Sequence, residues 1–156
     1  MTFKNFDKIS LEAINKRNAN TMSEYIGIEF IDVGEDYLTA KMPIDHRTVQ
    51  PLRIVNGGAY CVLAETVGSL AANLAIDREK YVAVGLDINA NHVRSAHEGN
   101  GYVYGTARPI HIGKTTQVWE IRITDERGKL NCISRLTMAV VELKNNDKGY
   151  ERQPAI

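Results

Sequence analysis

The sequence predicts an α+β domain in which one long central helix is wrapped by an antiparallel sheet. The first observation is a run from Ile54 to Ile76 that contains one charged residue and many small side chains. The second is a series of four long segments after residue 80, each rich in the β-branched and aromatic residues that strands favour. The third is the short turn signals between these segments, which are typical of hairpins. A single apolar helix followed by hairpin-connected strands therefore predicts a sheet packed around that helix.

The elements follow in order along the chain. Ser10 is a suitable N-cap for a short polar helix over residues 10–19, and a turn over 21–25 precedes the first strand. Gly34-Glu35-Asp36 separates two apolar-rich runs and predicts a hairpin, and a loop then leads to the long helix, predicted over 57–76. The predicted strands cover residues 26–34, 37–44, 82–95, 102–112, 116–124 and 129–143.

Length and charge limit the class of protein. The 156 residues suit a single domain, which we expect to have its core over about residues 20–143 and a polar tail over 144–156. Nineteen basic and nineteen acidic residues leave no net charge, which argues against a nucleic-acid-binding protein.

Cysteine usage and targeting signals point to a cytoplasmic protein. Cys61 and Cys132 are the two cysteines, and they have no partners at metal-ligand spacing, so we expect neither a disulfide scaffold nor a metal site. Charged residues lie where a signal peptide would need an apolar stretch. Glu65 lies in the middle of the long uncharged run, where a carboxylate would be costly in lipid, so we expect no membrane span.

Glu65 is the residue of the long helix that most suggests chemistry. On a helical wheel, the face predicted to contact the sheet carries Leu63, Val67, Leu70 and Leu74, with Ala59 and Ala71 at its edges. Glu65 lies on another face, with the small neighbours Gly58, Cys61, Gly68, Ser69 and Ala72. An outer helix face normally carries several charges, so this second face is expected to be covered, and a partly buried lone carboxylate is a candidate functional group. The alternative is a close helix or subunit contact with Glu65 solvated at its edge.

The start of the same helix is a candidate oxyanion site. Asn56-Gly57-Gly58 leaves backbone N–H groups unobstructed, and the helix dipole adds positive potential there. Such a terminus can polarise a carbonyl oxygen. The alternative is that the two glycines serve only a tight turn.

Four segments together resemble the hot-dog-fold acyl-CoA thioesterases. They are NGGAYCVLAETVGSLAANLA, GLDINANHVRSAHEG, RPIHIGKTTQVWEIRI and ISRLTMAVVE. The most similar branch contains the phenylacetate-pathway, Glu-type 4-hydroxybenzoyl-CoA and 1,4-dihydroxy-2-naphthoyl-CoA thioesterases. The resemblance implies a hot-dog fold, an acyl-CoA substrate without a separate cofactor, and a homodimer that assembles to a homotetramer with active sites at the dimer interface.

The resemblance also implies roles for individual residues. Glu65 matches the catalytic nucleophile or general base, and Gly57 matches the donor whose N–H polarises the thioester carbonyl. Gln50 matches a side chain near that carbonyl. The implied substrate-binding residues are Thr66, Ser69, Gly85, His92, Val93, Arg94, Ser95, His111, Ile112, Gly113, Lys114, Thr115 and Thr116.

One departure from the family concerns Asn56, which stands where the family usually has histidine. An amide can still orient Gln50 or the thioester by hydrogen bonding, but it does not titrate near neutral pH. We therefore expect an aromatic or bulky acyl-CoA thioesterase. The alternative is a non-catalytic acyl-CoA-binding hot-dog domain. A dehydratase of the same fold is a weaker third option, because its usual Asp/His pairing is not recognisable.

Overall fold

The structure, a computed structural model, describes residue 3 and residues 8–143, so the expected tail over 144–156 lies outside the described residues. The helices are α1 (Leu11–Arg17), α2 (Met22–Tyr25) and α3 (Gly57–Leu74). The strands are β1 (Glu29–Val33), β2 (Leu38–Pro43), β3 (Tyr81–His92), β4 (Tyr102–Ile112), β5 (Thr116–Thr124) and β6 (Leu130–Glu142). In this part of the chain, no helix has the length and hydropathy needed to cross a bilayer.

The strands form one six-stranded antiparallel sheet in the order β1-β2-β4-β5-β6-β3. β4, β5 and β6 are joined by hairpins, whereas β3 follows α3 directly and pairs with β6 at the far edge of the sheet. α3 lies across the sheet and contacts β2 through β6. The predicted α+β architecture, with a helix wrapped by an antiparallel sheet, is confirmed.

The buried arc of α3 is wider than the predicted stripe. Leu63, Val67 and Leu74 are buried as expected, but Leu70 is only half-buried. Gly68 and Ala72 were expected on the face of Glu65, and both are buried. The predicted division of α3 into a sheet face and a Glu65 face is therefore wrong for these residues. The physical reason is that the sheet contacts the helix along more than one stripe.

Gly68 illustrates how small residues permit this close contact. A Cβ atom at this position would lie 2.6 Å from Leu136 Cδ2 and 3.2 Å from Ile121 Cδ1. Any larger side chain would therefore push β5 and β6 away from the helix. α3 also ends at Leu74 instead of Ile76, and a turn closed by the bond from Lys80 N–H to Asp77 C=O follows it.

An asparagine amide covers part of each edge strand. At β1, Asn15 of α1 donates to Phe30 C=O and accepts from Phe30 N–H, both at 2.8 Å. At β3, Asn73 of α3 donates to Ala83 C=O at 2.9 Å and accepts from Ala83 N–H at 3.0 Å. Unpaired edge groups attract other strands, so these two side chains limit where a second strand could pair.

Candidate active site

Glu65 lies in the middle of α3, half-buried, and points along the helix toward β3. Ser69, one helical turn farther on, donates its hydroxyl to Glu65 Oε1 at 3.2 Å. A side chain at Gly85 of β3 would collide with the same carboxylate oxygen. The missing Cβ of Gly85 therefore provides the space in which the Glu65 carboxylate lies.

The start of α3 is organised by Asn56. Its side-chain Oδ1 accepts the Gly58 N–H at 2.7 Å, so Asn56 is the N-cap of the helix. Its own N–H donates to Thr48 C=O at 2.9 Å. Within the described residues, Gly57 N–H has no protein acceptor. The first N–H groups of a helix have no acceptor within the helix, and the Asn56 side chain accepts the N–H of Gly58 and not that of Gly57. The helix terminus thus offers one free N–H to a ligand.

Gln50 lies in a tight turn just before this helix start. Its Oε1 accepts from Leu52 N–H at 2.7 Å, and its backbone N–H donates to Ile54 C=O at 2.9 Å. Bridge pairing of Val49 with Val55 places this turn beside the Asn56 segment. Gln50 Oε1 and Asn56 Oδ1 each accept a backbone N–H, and no hydrogen bond joins these two side chains among the described residues. Of the two expected partners of the Asn56 amide, Gln50 or the thioester, the thioester remains a prediction.

His92 ends β3 beside the start of α3. Its Nε2 atom would lie 2.9 Å from a Cβ added to Gly57, so the imidazole contacts the helix terminus. Its ring also stacks on the ring of Tyr60, with centroids 5.5 Å apart. Sequence reasoning did not identify Tyr60, which is a buried aromatic residue without a motif to mark it.

The residues after His92 leave the sheet. Val93 is 58% exposed, and both its N–H and that of Arg94 donate to Asn131 C=O. Ser95 lines a shallow cavity of about 390 Å³ that includes Asp125 and Arg127 but neither Gly57 nor Glu65. This cavity therefore does not include the candidate catalytic residues.

The segment 111–116 contains the end of β4, the turn over residues 113–115 and the first residue of β5. Gly113 N–H donates to Thr116 C=O at 2.9 Å, and Lys114 and Thr115 are exposed at its tip. β6 lies between β5 and β3, so the turn is about 10 Å, two strand spacings, from β3. Within one chain the turn is therefore not adjacent to β3, whose Gly85 contacts Glu65.

Arg108 of β4 is a nearby cation that is engaged elsewhere. It donates to Asp36 at 2.8 Å and lies over the Tyr37 ring at 4.7 Å from its centroid. Cys132 is buried, and burial raises the pKa of its thiol, so it is a core residue and not an activated nucleophile.

Asn73 is a second site residue that sequence reasoning missed. Besides its two bonds to Ala83, it donates to Ser69 C=O at 2.9 Å. It thereby connects β3 to the turn of α3 that also orients Glu65. A carboxamide side chain in the last turn of the helix, among Leu70, Ala71, Ala72 and Leu74, was the signal that could have revealed it.

Comparison with known proteins agrees with this architecture. The profile of the thioesterase superfamily matches residues 52–132. The 1,4-dihydroxy-2-naphthoyl-CoA hydrolase of Escherichia coli K12 is 50% identical over 134 residues, which are 86% of this chain and 96% of the relative. The proofreading thioesterase EntH of Cronobacter turicensis is 44% identical over 133 residues, which are 85% of this chain and 95% of the relative.

Solved structures give the same result. A thioesterase from Haemophilus influenzae matches with a TM-score of 0.87 and 44% identity, over 94% of this chain and 99% of its own. A variant of a thioesterase from Pseudomonas aeruginosa matches with a TM-score of 0.86 and 43% identity, over 92% of this chain and 100% of its own. The expected hot-dog fold is thereby confirmed. The chain therefore belongs to the thioesterase superfamily and is a thioester hydrolase.

Proposed function

We propose that this protein hydrolyses the thioester of an aromatic or otherwise bulky acyl-CoA to the free acid and CoA. The observation that carries the proposal is a half-buried carboxylate, Glu65, on a helix whose first residue, Gly57, has a free N–H. The aromatic preference is supported by the similarity to a relative named for a dihydroxynaphthoyl-CoA substrate.

Two positions on α3 have different roles in the proposed reaction: Glu65 in its middle and Gly57 at its start. Glu65 attacks the thioester carbonyl as a nucleophile or activates a water as a general base, and Ser69 orients its carboxylate. Negative charge then develops on the carbonyl oxygen, where the Gly57 N–H and the helix dipole stabilise it. Gln50 lies in the turn that is paired with the Asn56 segment, and its amide Nε2, which has no partner among the described residues, would donate to the same oxygen.

The distance between the two groups favours a site shared by two copies of the chain. Gly57 and Glu65 are eight residues apart, which is about 12 Å along a helix axis. The carboxylate moreover lies toward Ser69, farther from Gly57. One thioester group is too small to contact both within one chain.

The edge strand β3 offers a way to bring the groups together. Val93 N–H donates to Asn131 C=O, so the backbone of Val93 faces β6. The direction of the backbone groups alternates along a strand, so the N–H and C=O groups of Ile88 and Ala90 point away from β6. Gly85, in the first half of β3, contacts Glu65, and His92, the last residue of β3, contacts Gly57. Antiparallel pairing of two β3 strands exchanges these ends, so that Glu65 of one copy would approach Gly57 of the other. We propose this homodimer as the catalytic unit, with dimers associating to a tetramer.

Binding of the substrate involves residues on both sides of this proposed interface. Thr66 and Ser69 lie on α3 beside Glu65, and the exposed segment 93–95 follows His92. Lys114, at the exposed tip of the turn 111–116, supplies a cation for the CoA phosphates. A thioester is already activated, so the proposed reaction requires no cofactor other than the CoA of the substrate.

A glutamine substitution tests the proposal. Glu65→Gln keeps the size of the side chain but removes its charge and basicity, so kcat should fall by about 10²–10⁴-fold while acyl-CoA affinity is retained. Glu79→Gln changes an exposed glutamate after α3 and serves as the matched control, with wild-type kcat. Rates are measured on a panel of aromatic and fatty acyl-CoAs by release of free thiol.

Two outcomes would contradict the proposal. Glu65→Gln with more than about a tenth of wild-type kcat would exclude Glu65 as nucleophile or base. A wild-type protein that binds acyl-CoA without hydrolysing any member of the panel would favour the non-catalytic binding domain.

A further inference from the structure

Tyr60 lies in the first turn of α3 and is only 2% exposed. Its ring stacks on the imidazole of His92, with a centroid distance of 5.5 Å and an interplanar angle of 24°. This separation is within the range of favourable aromatic pairs. A buried ring on the helix thus supports an exposed ring at the end of β3.

The same imidazole reaches the start of α3. His92 Nε2 would lie 2.9 Å from a Cβ atom on Gly57, so there is room for the ring in this position only because residue 57 is glycine. His92 is the last residue of β3, and the chain leaves the strand immediately after it. The two contacts that hold the ring therefore come from α3, through Tyr60 and Gly57.

The hydroxyl of Tyr60 does not contribute to this arrangement. Within the described residues, Tyr60 OH is buried and has no hydrogen-bond partner. Burial raises the pKa of Tyr60 to about 12, so the hydroxyl stays neutral. An unpaired buried hydroxyl is unfavourable, so the contribution of Tyr60 comes from its ring.

We propose that Tyr60 is a positioning residue, whose ring holds the His92 imidazole against Gly57 beside the thioester carbonyl. The proposal rests on the proposed function for the place of the carbonyl, whereas the ring geometry is independent of it. Tyr60 itself touches neither the substrate nor the reacting atoms. It acts through His92.

A double-mutant cycle tests this coupling. Tyr60→Leu removes the stacked ring but keeps an apolar side chain, and it should lower kcat/KM by about three- to tenfold. Tyr60→Phe keeps the ring, so it should retain wild-type kcat/KM. In a His92→Ala background, Tyr60→Leu should cause no further loss, because the group that Tyr60 positions is already absent. If Tyr60→Leu does not fold, Tyr60→Met takes its place.

A spectroscopic measurement detects the stacking of Tyr60 on His92 independently of activity. In protein with labelled histidine, the ring-proton resonances of His92 should shift in Tyr60→Leu, which loses the ring current, and stay near their wild-type positions in Tyr60→Phe. Unchanged His92 resonances in Tyr60→Leu would overturn the proposal. An equal loss of kcat/KM with and without His92 would also overturn it, because Tyr60 would then act only through the fold. If the proposed function is wrong, the Glu65→Gln variant remains active, while the His92 resonances still depend on the Tyr60 ring.

Discussion

Three substitutions at Asn56 test whether the start of α3 has two separate roles, stabilisation of the fold by the Asn56 cap and catalysis by the Gly57 N–H. Asn56 Oδ1 accepts the Gly58 N–H at 2.7 Å, while the neighbouring Gly57 N–H stays free for the substrate. Alanine removes the cap, serine keeps a neutral cap, and aspartate keeps the cap but adds a negative charge. The three variants therefore change stability and activity in different combinations.

The expected stability changes follow from the capping bond. Asn56→Ala should lower the free energy of unfolding by about 1 kcal/mol, which for a chain of this size is a Tm lower by about 3 °C. Asn56→Ser should keep the Tm near the wild-type value, because the hydroxyl can accept the same N–H. Asn56→Asp should equal or exceed the wild-type Tm, because a carboxylate at a helix N-terminus adds about 0.3–1 kcal/mol.

The expected activity changes follow from the charge. The carboxylate introduced by Asn56→Asp would lie about 5 Å from an oxyanion bound to Gly57 N–H, and at an effective dielectric of about 20 to 80 their repulsion is roughly 1–3 kcal/mol. Asn56→Asp should therefore lower kcat/KM by about 5- to 150-fold at a preserved Tm, whereas Asn56→Ser stays near wild type. Thermal unfolding and kcat/KM on one acyl-CoA check both effects. Wild-type kcat/KM in Asn56→Asp would refute an oxyanion site at Gly57, and an unchanged Tm in Asn56→Ala would refute the cap.

Two further predictions concern the space around Glu65 and the assembly. Gly85→Ala should lower kcat at least about tenfold with little change in Tm, because the added methyl occupies the place of the Glu65 carboxylate; full kcat in this variant would mean that the carboxylate works from another position. Sedimentation at micromolar concentration should show at least twice the 17.4 kDa chain mass, and four times if dimers associate, because the backbone groups of Ile88 and Ala90 need partners. A stable monomer of 17.4 kDa with full activity would contradict the shared site.

The sequence was sufficient for the local features of this protein. Hairpin turns such as the one after Thr124 and the two-residue alternation around Trp119 are local signals, and most strand ends lie within one residue of the predicted positions. The exceptions are the start of β1, at Glu29 instead of Ile26, and the end of β3, at His92 instead of Ser95. Glu65 was identifiable because it is the one charged residue in a long uncharged run. Asn56 and the two glycines likewise marked the start of α3, since capping depends on neighbouring residues.

The long-range features became visible only in the folded chain. β3 follows α3 in sequence but pairs with β6, and a local pattern contains no information on such pairing. The packing of the sheet against α3 buries Gly68 and Ala72, which a helical wheel assigned to the face of Glu65. The contacts of Tyr60 with His92 and of Asn73 with Ala83 join residues that lie 32 and 10 positions apart. Periodicity along the chain specifies which residues share a face, but packing of the whole sheet against the helix selects which faces and which side chains meet.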